Sequence, residues 1–376
     1  MLASTAFLSL LIIHSVFGGI FDRDFPKVPF PENPSFGEDI QIPAEYEFEP
    51  NFEKSAVAAV EAASEVEQSE LRMPGVTLNT NETYLCSTFQ LDLQDTHYLL
   101  EFEALADAKH VHHIILFGCD EPGNDAKVWD CGEMTANKNS EYQQSPVCKN
   151  NPEIIFSWGK NAPKLELPEG VGYPVGGRTK NQNLILQVHY MHEESKEDYS
   201  GLRIVSTIIP QPRTAATLLI VTGGTVKAHT TVDFEAACVM DEPIVMHPFA
   251  FRVHTHSHGV NVAGYIVNED AMTKKDEWFL IGERNPQLSQ MFAPVSNKSA
   301  IIQPGDIIAS RCTMKNDENR DITVGSTGAD EMCNFYIYYM VEGTQTLKDN
   351  TCYSPGYPEY RWSTSAGLNN IPKHHH

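Results

Sequence analysis

Short apolar runs separated by turn-forming residues fill the chain from about Pro74 onward. The runs are rich in Val, Ile, Leu, Thr, Tyr and Phe, and Gly, Pro, Asn and Asp stand between them. This texture is typical of the short strands of an all-β sandwich. It predicts strands over the following segments: Tyr98–Phe102, His113–Phe117, Leu184–Tyr190, Leu202–Ile209, Leu218–Val221, Phe249–His256, Trp278–Ile281 and Phe335–Val341.

The first part of the chain has other patterns. An apolar core at Phe7–Ile13, followed by two glycines, predicts a secretory signal peptide over residues 1–19, although no basic residue precedes the core. A membrane anchor is the alternative interpretation, but the apolar run is too short to span a bilayer. Residues 55–70 have high helix propensity and predict the one helix of the chain.

The formal net charge of −23 argues against nucleic acid as a partner. Part of this charge is local, since residues 38–70 hold ten acidic side chains and one basic side chain, Lys54. We therefore expect residues 20–72 to form an acidic pro-region or a flexible arm. No stretch after the signal approaches twenty apolar residues, so we expect no transmembrane segment.

Two prolines mark a candidate domain boundary. Pro210 and Pro212 interrupt a strand pattern, and a new pattern begins at Ala216. A length of 376 residues is compatible with two domains. We expect one β-sandwich domain over residues 73–209 and a second over residues 213–356.

Eight cysteines follow the signal segment, at Cys86, Cys119, Cys131, Cys148, Cys238, Cys312, Cys333 and Cys352. An even number in a secreted chain favours four disulfides. None forms a Cys-x-x-Cys pair, so a zinc–thiolate or thioredoxin-like site is not indicated. Two N-glycosylation sequons, at Asn81 and Asn297, also suit a secreted protein.

Histidines inside strand-like segments are the candidate metal ligands. His254 and His256 are two residues apart, so on a strand they face the same side. His112 and His113 are adjacent, and they could reach one ion only through a twist, a bulge or different ring nitrogens. His189 is a single histidine in a strand, for which a buried core histidine is the more common explanation. From the residues alone, a structural role stays open for each of these side chains.

Other short motifs accompany these histidines. The full set is Val111-His112-His113, Phe117-Gly118-Cys119, Gly170-Val171-Gly172-Tyr173-Pro174-Val175-Gly176-Gly177, Gln187-Val188-His189-Tyr190, Arg252-Val253-His254-Thr255-His256 and Asp330-Glu331-Met332-Cys333-Asn334. With these motifs in this order, the chain resembles the copper type II ascorbate-dependent monooxygenase family over roughly residues 73–355. Any one motif alone is weak, whereas their co-occurrence is specific. The nearest resemblance is to the branch of the family that hydroxylates peptides.

The resemblance implies two antiparallel, jelly-roll-like β-sandwich domains, with a solvent-filled cleft between them and one copper ion on each wall. The ligands it implies for an electron-transfer copper are His112, His113 and His189. The ligands it implies for the copper that activates O2 are His254, His256 and Met332. These donors fit copper, since imidazole suits both oxidation states and a thioether suits Cu(I). Without the resemblance, Met332 would be interpreted as a core side chain.

The resemblance also implies a clamp for a peptide carboxylate, formed by Arg252, Asn334 and Tyr336. A guanidinium can bind a carboxylate through two parallel hydrogen bonds, although a surface arginine is the alternative. Gln187 either supports the first copper or is a structural amide.

The disulfides that the family pattern implies are Cys86–Cys131, Cys119–Cys148, Cys238–Cys352 and Cys312–Cys333.

The implied reaction is hydroxylation of the pro-S position on the α-carbon of a C-terminal glycine in peptides, the first step of peptide amidation. Ascorbate would be the reductant and O2 the co-substrate. The substrates would be glycine-extended neuropeptide or hormone precursors in the secretory granule lumen or outside the cell. Because no lyase domain fits after residue 355, we expect a separate peptidyl-hydroxyglycine lyase to act on the product.

Two other functions stay open. The dopamine and tyramine β-hydroxylase branch shares the copper motifs, but too few residues precede residue 73 for its extra domain, and an amine substrate lacks the carboxylate that the clamp would bind. A non-catalytic secreted copper-binding protein would be indicated by loss of a ligand, and none is lost.

The histidines expected to be structural or exposed are His97, His110, His192, His229, His247 and His258. The sequence leaves open whether His374–His376 are native.

Overall fold

Strands make up nearly all the regular structure of the chain. The computed structural model describes residues 66–132, 141–150, 152–159, 161–270, 272–325 and 330–373. The predicted signal segment, most of the predicted arm and His374–His376 lie outside the described residues. Within them the regular elements are 22 strands and one short 3-10 helix at Thr364–Ala366. The predicted all-β class is confirmed.

The strands of the first half are β1 (Glu67–Arg72), β2 (Val76–Leu78), β3 (Thr83–Gln90), β4 (Thr96–Leu105), β5 (Val111–Cys119), β6 (Val128–Asp130), β7 (Glu153–Gly159), β8 (Leu165–Glu166), β9 (Val171–Gly176), β10 (Asn183–Tyr190), β11 (Glu194–Asp198) and β12 (Gly201–Thr207). The strands of the second half are β13 (Arg213–Val226), β14 (Thr230–Val239), β15 (His247–His254), β16 (Gly259–Glu269), β17 (Asp276–Arg284), β18 (Ala293–Pro294), β19 (Ile307–Asn316), β20 (Ile322–Val324), β21 (Cys333–Glu342) and β22 (Thr351–Pro355). All eight strands predicted from the sequence are present, but β12 and β15 end at Thr207 and His254, two residues before the predicted ends at Ile209 and His256.

The strands form one large sheet and three smaller ones. The large sheet has eleven strands and runs β1-β12-β4-β9-β13-β21-β15-β18, with β8 beside β4 and with β20 and β22 beside β13. A five-stranded sheet runs β6-β3-β10-β5-β7, a four-stranded sheet runs β14-β19-β16-β17, and β11 pairs with β2. Most pairs are antiparallel, and the parallel ones join β13 to β9 and to β22.

Each half is a sandwich around an apolar core, and the core of the first half also includes side chains of the second, such as Phe292 and Tyr338. In the first half, Phe102 on β4 stacks against Phe156 on β7, with ring centroids 4.9 Å apart, so the large sheet faces the five-stranded one. In the second half, buried Ile220 on β13 belongs to the same core as Phe234 on β14 and Ile308 on β19. Burial of apolar side chains between two sheets is the main stabilising contribution in this architecture.

A short parallel ladder connects the two sandwiches. Val171 and Gly172 on β9 pair with Arg213 and Thr214 on β13, directly after the two prolines of the predicted boundary. The ladder makes β9 and β13 neighbours in one continuous sheet. Aromatic packing reinforces this connection, because Phe292 from the second half lies 5.1 Å from Tyr338 and 6.4 Å from Phe156, measured between ring centroids.

The helix predicted over residues 55–70 is wrong for its last five residues, 66–70. Glu67–Arg72 form β1, which pairs with β12 in antiparallel register from Glu67 opposite Ser206 to Arg72 opposite Gly201. Leu71 is buried in the first core, and Arg203 on β12 binds the Glu70 carboxylate at 3.0 Å. These long-range contacts outweigh local helix propensity, which is a weak preference. The earlier part of the predicted helix lies outside the described residues.

The four disulfides of the structure are the four pairs that the family pattern implied: Cys86–Cys131, Cys119–Cys148, Cys238–Cys352 and Cys312–Cys333. Two lie in each half. Asn81 and Asn297, the sequon asparagines, are exposed. Across the part of the chain that the structure describes, no helix is long and apolar enough to cross a bilayer.

Candidate metal centres and substrate cavity

A β-bulge gathers the first three candidate ligands. His113 on β5 lies directly opposite His189 on β10, but the next residue, Tyr190, pairs with Val111. His112 is therefore the extra residue of the bulge and has no residue opposite it on β10. This is one of the three solutions open from the sequence for two adjacent histidines. One candidate ligand atom from each of His112, His113 and His189 lies within 4.8 Å of the other two.

The nitrogen atoms of this triad fit a metal. Nδ1 of His112 lies 3.3 Å from Nδ1 of His113. Nε2 of His113 and Nδ1 of His189 are buried and have no hydrogen-bond partner. A buried polar atom without a partner costs free energy, so these two atoms indicate that something is bound there in the working protein. Three imidazoles at this spacing suit a copper ion.

The surroundings of the triad keep His113 neutral. Burial, followed by the neighbouring His189, His112, His254 and Arg252, holds the pKa of His113 well below its ordinary value. A neutral imidazole is the form that binds a metal. Nε2 of His189 lies 2.7 Å from Oε2 of Glu82, and this hydrogen bond lowers the pKa of the Glu82 carboxyl.

The second set of candidate ligands lies where β15 ends and β21 begins. His254 is the last residue of β15 and stands opposite Asn334 on β21, while Met332 immediately precedes β21. The rings of His254 and His256 are 5.3 Å apart between centroids. Met332 is buried, and its sulfur accepts a hydrogen bond from Nδ2 of Asn334 at 3.8 Å. The segments that carry the two imidazoles and the thioether therefore adjoin through Asn334. Both donor types suit Cu(I).

Oxygen acceptors define the tautomers of the second set. Nε2 of Gln290 donates to the carbonyls of Thr255 and Pro286, so its Oε1 is oriented to accept from Nδ1 of His254 at 2.7 Å. Nδ1 of His256 donates to the carbonyl of Asp330, also at 2.7 Å. Each Nδ1 then carries the proton, and Nε2 is the candidate ligand atom of each ring.

Glu331 connects the two segments that carry this second set. Its buried carboxylate accepts hydrogen bonds from the backbone amides of His256, Met332 and His258. The ring of His258 also contacts it, with Nδ1 3.1 Å from Oε2, and Nε2 of the same ring lies 3.2 Å from Glu318. His258 therefore orders the loop, in line with its predicted structural role.

The predicted carboxylate clamp is assembled on β15 and β21. Arg252 is buried and stands opposite Tyr336, with its guanidinium carbon 5.1 Å from the centre of that ring. Its Nε and Nη2 donate to the backbone and side-chain oxygens of Gln290. Nδ2 of Asn334 donates to the hydroxyl of Tyr336 at 3.3 Å, and Oδ1 of Asn334 is buried without a hydrogen-bond partner. The three predicted residues thus form one contiguous group.

Of these three residues, Asn334 and Tyr336 line a cavity of about 1170 Å³. Its floor comes from alternate residues of two paired strands, because alternate residues of a strand face the same side. The floor residues are Thr217, Leu219, Val221, Met332, Asn334 and Tyr336. The opposite wall belongs to the first half and includes Phe117, Glu153, Ile154, Lys180 and Asn181. The candidate sulfur ligand and two clamp residues therefore face one space large enough for a peptide end.

A smaller cavity, of about 240 Å³, is lined by the whole first ligand set and by His256 of the second. It is lined by Glu82, Tyr84, His112, His113, His189, Thr255, His256, Ser257, Gln287 and Gln290. The rings of His113 and His254 are 6.3 Å apart between centroids. The two sets are thus neighbours in this structure, and the solvent-filled cleft between them stays a prediction.

Four residues of these sites were missed in the sequence. Glu331 was visible as the neighbour of Met332, and Glu82 as the middle residue of a sequon, but neither position indicates a ring or backbone contact. Tyr84 stacks on His189 with ring centroids 3.9 Å apart, and Gln290 lies outside the strands, where no local pattern predicts its role. The buried amide of Gln187 donates to the carbonyl of Gly132 at 2.8 Å, a structural contact.

Comparison with known protein families explains this combination of sites. Residues 69–197 match the N-terminal domain, and residues 213–365 the C-terminal domain, of copper type II ascorbate-dependent monooxygenase. The chain belongs to this family. Both domains of the monooxygenase family are matched, and the residues between the two matches contain the predicted boundary prolines.

Peptidyl-glycine alpha-amidating monooxygenase A of Xenopus laevis is 36% identical to this chain over 297 residues, or 77% of this chain and 30% of the relative. Peptidylglycine alpha-amidating monooxygenase of Rattus norvegicus is 36% identical over 75% of this chain and 28% of its own length. Dopamine beta-hydroxylase of Canis lupus familiaris is 23% identical over 72% of this chain and 45% of the relative. The chain thus spans about a third of the length of the amidating relatives.

Proposed function

We propose that this monooxygenase hydroxylates the α-carbon of C-terminal glycine in peptides, using two copper ions, ascorbate and O2. The observation that carries the proposal is the placement of Met332, Asn334 and Tyr336 on the floor of one large cavity. A peptide carboxylate held by the last two residues would lie beside the sulfur ligand. The greater similarity to amidating relatives than to dopamine beta-hydroxylase supports the same substrate class.

The chain's own residues account for substrate binding. The positive charge of Arg252 lies beside Tyr336, in a buried site where a charge acts more strongly than in water. The side chains of Asn334 and Tyr336 offer hydrogen bonds to a carboxylate, and Arg252 supplies the opposite charge. A terminal glycine, which has no Cβ, would let its α-carbon approach Met332 closely. Larger terminal residues would be excluded for the same reason.

The two ligand sets would have separate tasks. The copper that passes electrons would be held by His112, His113 and His189. The copper beside the substrate would be held by His254, His256 and Met332. Bound copper supplies the activation of O2, which no protein side chain provides. In the overall reaction, one oxygen atom enters the C–H bond and the other leaves as water, with two electrons coming from ascorbate. Gln290 and Glu331 keep the second set in position while this occurs.

The product would be a peptidyl-α-hydroxyglycine, and a peptidyl-hydroxyglycine lyase would convert it to the amidated peptide. We place the protein in the secretory granule lumen or outside the cell. The four disulfides and the exposed sequon residues Asn81 and Asn297 support such a compartment.

The test is an assay by mass spectrometry with copper, ascorbate and O2. Four substrates are compared: a glycine-terminated peptide, its alanine-terminated analogue, the same peptide ending in glycine amide, and tyramine. We expect a gain of one oxygen atom on the glycine-terminated peptide only. Oxidation of tyramine alone would place the protein with the amine hydroxylases. Copper binding without turnover of any substrate would make it a copper-binding protein.

A further inference from the structure

Glu82 makes a direct contact with the candidate ligand His189. Its Oε2 lies 2.7 Å from Nε2 of the imidazole, although the Glu82 side chain is 65% exposed and the His189 side chain only 5% exposed. Glu82 adopts a positive φ of 54°, a backbone conformation that non-glycine residues seldom adopt. The turn that contains it is therefore shaped so that an exposed carboxylate reaches a buried ring.

This contact determines which nitrogen of His189 can bind a metal. A carboxylate accepts hydrogen bonds, so Nε2 of a neutral His189 must carry the proton and donate it to Glu82. Nδ1 then keeps its lone pair, and Nδ1 is the buried atom that has no hydrogen-bond partner. A carboxylate behind a ligating imidazole also makes the ring a stronger donor.

The second ligand set has different acceptors at the corresponding ring nitrogens. Nδ1 of His254 donates to the amide oxygen of Gln290, and Nδ1 of His256 donates to the backbone oxygen of Asp330. Both acceptors are neutral, whereas Glu82 carries a full negative charge when ionised. Negative charge behind a ligand favours Cu(II) over Cu(I). At the second set the nearby carboxylate, Glu331, accepts from backbone amides rather than from a ligand ring of that set.

We propose that Glu82 is a positioning residue that selects the His189 tautomer and lowers the reduction potential of copper at the triad relative to copper at the second set. An electron leaving the triad would then move to the second set downhill in free energy. This inference rests on the proposed function, because it requires copper at both sets. It assigns Glu82 a role that the ligand positions alone do not reveal.

The test compares Glu82→Gln with Glu82→Ala in the full-length chain. Gln keeps a hydrogen-bond acceptor but removes the charge, and Ala removes both. The control is Glu193→Gln, which removes a charge from an exposed neighbour whose backbone amide donates to Asn81. Each variant is also prepared with His256→Ala, so that copper at the triad can be titrated and measured without copper at the second set.

We expect Glu82→Gln to weaken Cu(II) binding at the triad by about 10-fold and Glu82→Ala by up to about 100-fold, the range typical of residues behind metal ligands. Both variants should shift the triad's reduction potential to more positive values and change the Cu(II) electron paramagnetic resonance spectrum. Glu193→Gln should change none of these.

Wild-type affinity and potential in Glu82→Gln, or an equal shift in Glu193→Gln, would overturn the inference. A merely structural role would lower the unfolding temperature without moving the potential, and this result would also overturn it. Failure of the proposed function would be seen in the wild-type chain itself. That chain would then not bind two copper ions, or it would leave glycine-extended peptides unchanged.

Discussion

His113 and His189 stand opposite each other on β5 and β10, and the bulge beside this pair turns His112 toward the same point. We therefore expect His189→Ala to reduce the copper content from two ions per chain to one, because removing one of three ligands opens the triad. Atomic absorption after dialysis measures the content. His192→Ala, at an exposed histidine three residues further on, should keep both ions. Two ions in His189→Ala would contradict the assignment of the triad.

Met332→Leu removes the sulfur of Met332 but keeps an apolar side chain at the same position. The two side chains have similar volumes, so the free energy of unfolding should change by less than about 1.5 kcal/mol. Turnover of a glycine-extended peptide should fall by at least about 100-fold, because a ligand is lost rather than only a contact behind a ligand. Met314→Leu, at a fully buried methionine on β19, is the matched control and should keep its activity. Normal turnover in Met332→Leu would exclude the thioether as a ligand.

The disulfide Cys312–Cys333 ends one residue after Met332, whereas Cys238–Cys352 lies elsewhere in the same half. Replacing either pair by alanines should lower the free energy of unfolding by about 3 to 5 kcal/mol, as estimated from loop closure. Only the Cys312→Ala/Cys333→Ala variant should also weaken copper binding at the second set, because it frees the segment that carries Met332. Competition titrations against a copper chelator provide the comparison. Equal copper affinity in the two double variants would contradict this.

The stability of the copper-free protein should decrease toward acidic pH. Burial holds the pKa of His113 well below its ordinary value, so folded His113 stays neutral at pH values where the unfolded chain binds a proton. Stability from this group is intact above about pH 6.5 and falls below it, by at most about 1.4 kcal/mol per pH unit, until the folded pKa is reached. Urea unfolding from about pH 8 to about pH 5 measures the slope.

His113→Asn should flatten this pH dependence, since asparagine does not titrate. His229→Asn is the control, because His229 is exposed and its removal should leave the slope as it is in the wild-type chain. An unchanged slope in His113→Asn would show that other groups cause the loss of stability.

Local sequence determined much of this protein. Short apolar runs between turn-forming residues were sufficient to predict all eight strands, because this texture is typical of the strands of a β-sandwich. The sequence also placed His254 and His256 on one strand, whereas β15 ends at His254 and His256 lies in the loop that follows. The disulfide pairs and the role of Met332 required the family resemblance, since neither follows from a local pattern.

The tertiary structure alone decided how these parts meet. The bulge at His112 depends on the register of β5 against β10, which no single strand specifies. β1 forms where helix propensity is high because β12 lies beside it. Glu82 contacts the ring of His189, which is 107 positions away in the chain. Gln290 contacts the ring of His254, which is 36 positions away. Sequence patterns record which face a side chain occupies, whereas the partner on that face depends on long-range pairing.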